Sequence, residues 1–216
     1  MPMGCPVCGG TGFIDRGGVV ELCACRFEGV NLQRYLNLPP RFLEADFENY
    51  RPITPSQKKA YEVCLSYALS FDPKEGRGIT LIGPPQMGKT HLAVAVLKRV
   101  YRTHKVRGLF FDTKELFYRL QGYTGSEKYE KLMNYLLSIP LLVLDDLGSE
   151  RLSDWRIETL SLIISHRYNF LRSTLITTNY TLHRLKDEDI TKALEERLSP
   201  AIVGKITQMN EIVYLN

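Results

Sequence analysis

Ile79-Thr80-Leu81-Ile82-Gly83-Pro84-Pro85-Gln86-Met87-Gly88-Lys89-Thr90-His91-Leu92-Ala93 decides the fold of this chain. A short β-rich run stops at Ile82, a turn bounded by Gly83 and Gly88 follows, and residues 88–102 carry apolar side chains at helical spacing. Between strand and helix, residues 83–90 fit G-x-x-x-x-G-K-[ST]. Backbone N–H groups of such a loop converge on phosphates at a helix N-terminus, where the macrodipole also favours negative charge. Each residue type has a task there: Lys89 reaches the β- and γ-phosphates of ATP, and the Thr90 hydroxyl is placed to coordinate Mg²⁺. The expected nucleotide contacts are Gly83, Pro84, Pro85, Gln86, Met87, Gly88, Lys89, Thr90 and His91. Related loops often carry glycine where Gln86 stands, so the backbone is expected to be altered at that point.

Downstream lies Leu141-Leu142-Val143-Leu144-Asp145-Asp146, an apolar strand ending in two carboxylates. Asp145 is expected to serve Mg²⁺ directly or through water. Asp146 stands where many ATPases place a glutamate that orients the attacking water, and its shorter side chain predicts slow or partner-dependent hydrolysis. Thr174-Leu175-Ile176-Thr177-Thr178-Asn179 reads as another strand, whose terminal Asn179 can hydrogen-bond the water or the γ-phosphate. Arg197, in Glu195-Glu196-Arg197-Leu198, is a candidate to reach the γ-phosphate of a neighbouring subunit, against the plainer reading of an exposed helical arginine.

Working outward, β-rich runs alternate with helical patterns, which predicts a parallel sheet. The strands are expected at 79–82, 109–111, 141–144 and 174–177, with closing β segments near Ile202 and at 212–215; helices are expected at 54–69, 88–102, up to 137, 153–170 and around Ala193. Thr54-Pro55 reads as an N-cap followed by proline in the first turn. The expected fold class is α/β, a P-loop NTPase with a central parallel five-stranded sheet flanked by helices. The 216 residues suit one ordinary domain and a small appendage, with no internal repeat. A net charge of +4 is compatible with a polyanionic partner and too weak to establish one. No apolar run is long enough to cross a bilayer, and the first residues lack a secretory pattern, so a reducing, cytoplasmic location is expected.

The first 30 residues differ in kind. Cys5-x-x-Cys8, fourteen residues, then Cys23-x-Cys25 crowd among glycines with little periodic hydrophobicity. Four thiolates at this spacing suit one structural Zn²⁺, and metal binding would supply the folding free energy that so small a core cannot. Cys64, on the apolar face of a helical pattern, is expected in the core. A connector with Pro39-Pro40 follows the cysteines, so the expected organisation is a zinc-binding module and connector over 1–40 and the ATPase domain over 41–216.

Residues 83–92, 141–148, Thr177-Thr178-Asn179 and Glu196-Arg197-Leu198, in that order and spacing, resemble the DnaC/DnaI family of bacterial helicase loaders, over roughly residues 40–216. The resemblance implies an AAA+ sheet, ATP with Mg²⁺, Asn179 as first sensor and Arg197 as an arginine finger acting in trans through self-association. It also implies the absence of a helical lid, a replicative helicase held by the N-terminal module, and delivery of that helicase onto single-stranded DNA. Ala193 departs from relatives that carry another arginine four residues before the finger, which puts an auxiliary trans contact there in doubt. Lys114, Tyr118, Arg119, Tyr123, Lys128, Tyr129 and Lys131 mix cations with tyrosines in the region 114–137, a combination suited to single strands, although an amphipathic helical pair with a solvated face reads equally well. The alternatives are a transposition helper ATPase of the IstB type, or a P-loop kinase of a small molecule, for which no acceptor pocket or arginine-rich lid is identifiable.

Overall fold

The computed structural model describes residues 11, 13–15, 20–22, 31–149, 153–183 and 193–216. All four N-terminal cysteines lie outside these residues, so the zinc expectation has no described geometry. Among the described N-terminal residues, β1 (Phe13–Asp15) pairs antiparallel with β2 (Val20–Leu22).

The body of the chain runs α1 (Leu32–Tyr35), α2 (Pro55–Leu69), β3 (Gly78–Ile82), α3 (Lys89–His104), β4 (Gly108–Asp112), α4 (Thr113–Gly122), α5 (Glu127–Ser138) and β5 (Leu141–Asp145). It continues through α6 (Asp154–Asn169), β6 (Ser173–Thr178), α7 (Leu194–Arg197), α8 (Pro200–Met209) and β7 (Asn210–Tyr214). The five strands β3 to β7 form one sheet in the order β4-β5-β6-β3-β7, and every pairing is parallel. Strands covered on both faces are buried along their whole length, as β3 and β5 are, and both are mostly apolar. Side chains alternate across the sheet: Leu141 and Val143 join the core under α2 and α3, whereas Leu142 and Leu144 join the core under α4, α5, α6 and α8.

Local chemistry sets the element ends. The Thr54 hydroxyl accepts from Gln57 N at 3.2 Å and Gln57 Oε1 accepts from Thr54 N at 3.0 Å, a reciprocal cap with Pro55 in the first turn. The expected β segment near Ile202 is instead α8. Ser199 caps it, Pro200 occupies its first turn, and Ile202, Val203 and Ile206 are buried at helical spacing, so a short apolar run misled where the cap and proline were informative. Residues 31–38, expected as connector, pack into the body. Leu36 and Leu38 are buried, Phe110 N donates to Leu36 O at 2.9 Å, and Asn37 Nδ2 donates to Phe110 O at 2.7 Å, which covers the otherwise open edge of β4.

A fully buried arginine fastens the second core. Arg167 donates from Nε to Thr174 Oγ1 at 2.9 Å, from Nη1 to the Leu136 and Ile139 carbonyls at 2.8 and 2.9 Å, and from Nη2 to Ser173 O at 2.5 Å. One side chain thereby joins α6, the end of α5 and the start of β6. Among the described residues, no helix is long and apolar enough to cross a membrane.

Candidate functional site

The carboxyl ends of β3, β4, β5 and β6 open into one cleft of about 690 Å³, the place where open α/β sheets gather their ligands. Its lining includes Pro85, Gln86, Gly88, Lys89, Thr90 and His91 from the loop and helix after β3, Asp112 from β4, Asp145 and Asp146 from β5, and Thr177 and Asn179 from β6. Arg41 and Phe42 close one side.

The loop between β3 and α3 has the backbone its glycines dictate. Gly88 stands at φ +85° as the residue before the helix, a left-handed conformation that glycine adopts without penalty. Gln86 also lies left-handed, at φ +67°, so a residue with Cβ occupies backbone space that favours glycine.

Lys89 is 7% exposed and all three of its donors are engaged: Nζ reaches Gly83 O at 2.7 Å, Pro84 O at 2.7 Å and Asn179 Oδ1 at 2.8 Å. Burial pushes its pKa down, and the charges of Asp146 and Asp145 pull it back up. Gly83 and Pro84 thus meet the site through their carbonyls. Thr90 Oγ1 donates to Asp145 Oδ1 at 2.9 Å and Oδ2 at 3.1 Å, and Thr177 Oγ1 donates to Asp145 Oδ1 at 2.6 Å. Burial pushes the Asp145 carboxyl up to about 6 against those hydrogen bonds, with Asp112 and Asp146 raising it further. A hydroxyl and a carboxylate in contact, flanked by further carboxylates, are the hard oxygen donors that suit Mg²⁺. The raised Asp145 value is chiefly the cost of burying the charged carboxylate, with the neighbouring carboxylates of Asp112 and Asp146 adding to it.

Asp146 follows at φ +57°. Its N donates to Thr177 Oγ1 at 2.9 Å, its Oδ1 accepts from Asn179 Nδ2 at 2.8 Å, and Lys114 Nζ stands 3.8 Å from its Oδ2. Asn179 therefore bridges Lys89 and Asp146, one amide end to each. His91 lines the cleft while its Nε2 pairs with Asp46 O at 2.8 Å and its ring makes an edge contact with Tyr50.

Arg197 sits apart from this group, after Ala193, which caps the start of α7. Its Nε donates to Gly148 O at 2.7 Å and its guanidinium lies 4.6 Å from the centre of the Tyr180 ring. In the 114–137 region, Tyr118 is 78% exposed on α4, Lys128 stands over the Tyr123 ring at 5.7 Å, and Arg119 pairs with Glu115 and Lys131 with Glu127 within their own helices. Cys64 is fully buried, and burial pushes its thiol up, as a core residue requires. Sequence reasoning missed Arg41, Phe42, Asp112 and Thr177 as lining residues, and it missed Tyr50 and Gln57 behind the loop. The Thr54-x-x-Gln57 spacing was the readable signal for the last.

A family model described as IstB-like ATP binding protein matches residues 32–213. The solved structure of a DnaC helicase loader is 46% identical to this chain with a TM-score of 0.75, covering 82% of this chain and 100% of that one. The replicative helicase loader DnaC of Escherichia coli (strain K12) is 28% identical over 178 residues, 78% of this chain and 68% of that protein. The replicative helicase loader DnaI of Bacillus subtilis (strain 168) is 22% identical over 158 residues, 72% of this chain and 50% of that protein. The chain thus spans about half the length of some curated relatives it matches.

Proposed function

This chain belongs to the IstB-like ATP-binding proteins, with DnaC and DnaI helicase loaders among its relatives, and from that membership we propose that it is an ATP-controlled loader delivering a replicative helicase onto single-stranded DNA. One observation carries the reading: Lys89, Thr90, Asp145, Asp146 and Asn179 converge in a single cleft and are joined by direct hydrogen bonds. A triphosphate entering it replaces the carbonyls that hold Lys89 and meets the N–H groups at the start of α3. Thr90 and Asp145 hold the magnesium side. Mg²⁺, when bound, neutralises charge on the β- and γ-phosphates as the bond between them breaks. Asp146, held by Asn179, orients the attacking water as a base one methylene shorter than glutamate, and hydrolysis is accordingly slow. Arg197 acts on the γ-phosphate of the adjoining subunit in the assembled state. Four N-terminal thiolates, Cys5, Cys8, Cys23 and Cys25, hold one structural Zn²⁺, and that module grips the helicase. The α4–α5 pair, with exposed Tyr118 and its lysines, lies along single-stranded DNA.

The test joins assembly to chemistry. Wild type should bind ATP with magnesium by calorimetry and pull down the helicase, whereas Cys5→Ser should lose the helicase and keep the nucleotide. Arg197→Ala should bind ATP normally but lose about tenfold or more in hydrolysis. Mixing it with Lys89→Ala chains should restore part of the activity, because one supplies the site and the other the arginine. Wild-type hydrolysis by Arg197→Ala would end the trans assignment, and failure of the wild type to retain any helicase would end the loader reading.

A further inference from the structure

Met87 lies within the phosphate loop, and its carbonyl is held from behind by two side chains. Gln57 Nε2 donates to Met87 O at 3.3 Å, and Tyr50 OH donates to the same oxygen at 3.3 Å. Both residues are buried, at 8% and 7% exposure, and neither lines the cleft. The orientation of the Gln57 amide is fixed by its other end, since Oε1 accepts from Ile53 N at 2.7 Å and from Thr54 N at 3.0 Å, so only Nε2 can face Met87. The peptide is trans, so its N–H points opposite its C=O. Fixing the Met87 carbonyl on one side fixes the direction of the Gly88 N–H on the other, and Gly88 lines the cleft. Tyr50 also backs the glycine itself: a Cβ at Gly88 would stand 2.7 Å from Tyr50 Cε2.

We propose that Gln57 and Tyr50 are positioning residues that preset the 87–88 peptide of the loop for the phosphates of a nucleoside triphosphate. The proposal rests on the ATP reading given above. A loop prepared in this way does not spend binding free energy on turning a peptide toward the ligand, so the two side chains act on affinity without touching nucleotide. Gln57 does this with the half of its amide that the helix cap leaves over. Thr54, Gln57 and Met87 therefore form one continuous chain of bonds from the start of α2 to the phosphate loop.

Gln57→Glu separates the two uses. Glutamate keeps the acceptor that caps α2 and replaces the donor facing Met87 O with a second acceptor. Tyr50→Phe removes one hydroxyl and adds no charge. Full-length chains are titrated with magnesium ATP at about 0.1 M and about 0.5 M salt, and their Tm is measured alongside. Each variant should raise Kd roughly three- to tenfold at both salt concentrations, with Tm within about 2 °C of wild type. Unchanged Kd in both variants overturns the proposal. So does an effect confined to Gln57→Glu that disappears at the higher salt, which marks simple charge repulsion, or a loss of affinity that only follows a fall in Tm. Failure of the wild type itself to bind ATP removes the nucleotide reading, and this proposal with it.

Discussion

Replacing Asp145 with asparagine should make the magnesium-free chain more stable at neutral pH while abolishing its hold on magnesium nucleotide. Asp145 is 7% exposed, and burial moves its carboxyl from 3.8 up to about 6. The folded chain therefore keeps a proton that the unfolded chain has already released, so stability falls as pH rises from about 4 to about 6 and stays lower above that. At about 1.4 kcal/mol per pH unit, the gap withholds about 3 kcal/mol from the folded state at pH 7.5. Asparagine is neutral and can keep the neighbours satisfied: Oδ1 accepts from Thr177, and Nδ2 donates to a turned Thr90 hydroxyl. Allowing for that exchange, about 2 kcal/mol is recovered, a rise in Tm of about 4–8 °C for a domain of this size. Scanning calorimetry in magnesium-free buffer checks it. The advantage should shrink below about 1 kcal/mol at pH 4, where wild-type Asp145 is protonated when folded and about half protonated when unfolded. Added magnesium ATP should reverse the ranking, because only the wild type gains ligand stabilisation. A variant that melts no higher than wild type at pH 7.5, or that keeps the same advantage at pH 4, refutes the electrostatic account of this pocket.

Substitutions at two further positions probe the frame. Gln86→Gly should leave Tm unchanged or raise it slightly, whereas Gln86→Ile should cost about 1–2 kcal/mol, because φ +67° suits glycine and penalises a β-branched residue; equal melting of the two variants would contradict this. Arg167→Met should cost at least about 3 kcal/mol in urea unfolding, since the Leu136, Ile139 and Ser173 carbonyls would be left dry, and a loss below about 1 kcal/mol would show that they find other donors.

The site was readable where its chemistry is contiguous. Residues 83–90 carry strand end, turn and helix start in one run, and Asp145-Asp146 and Asn179 each stand at the end of a β-rich run, so alternation of strands and helices places them at the same sheet edge. Contacts between distant segments were not readable. Nothing in the neighbourhood of Tyr50 announces that its ring will lie against Gly88, and Asp112 reads as an ordinary strand-end acid until β4 is set beside β5 in register with Asp145. The run Ala201-Ile202-Val203 is short enough to fit either period, and Ser199-Pro200 is the better guide. Pro39-Pro40 interrupts the pattern and makes residues 31–38 look like connector, yet Leu36 and Leu38 have the apolar character that burial beside the β4 edge requires.

Arg197 hangs from the carbonyl of Gly148, three residues past Asp145, and rests on Tyr180, the neighbour of Asn179. One short loop therefore both finishes a subunit's own catalytic strand and sets the posture of the cation it extends. In the assembly proposed above, a shift of that loop at one nucleotide site would move the arginine offered to the adjoining subunit.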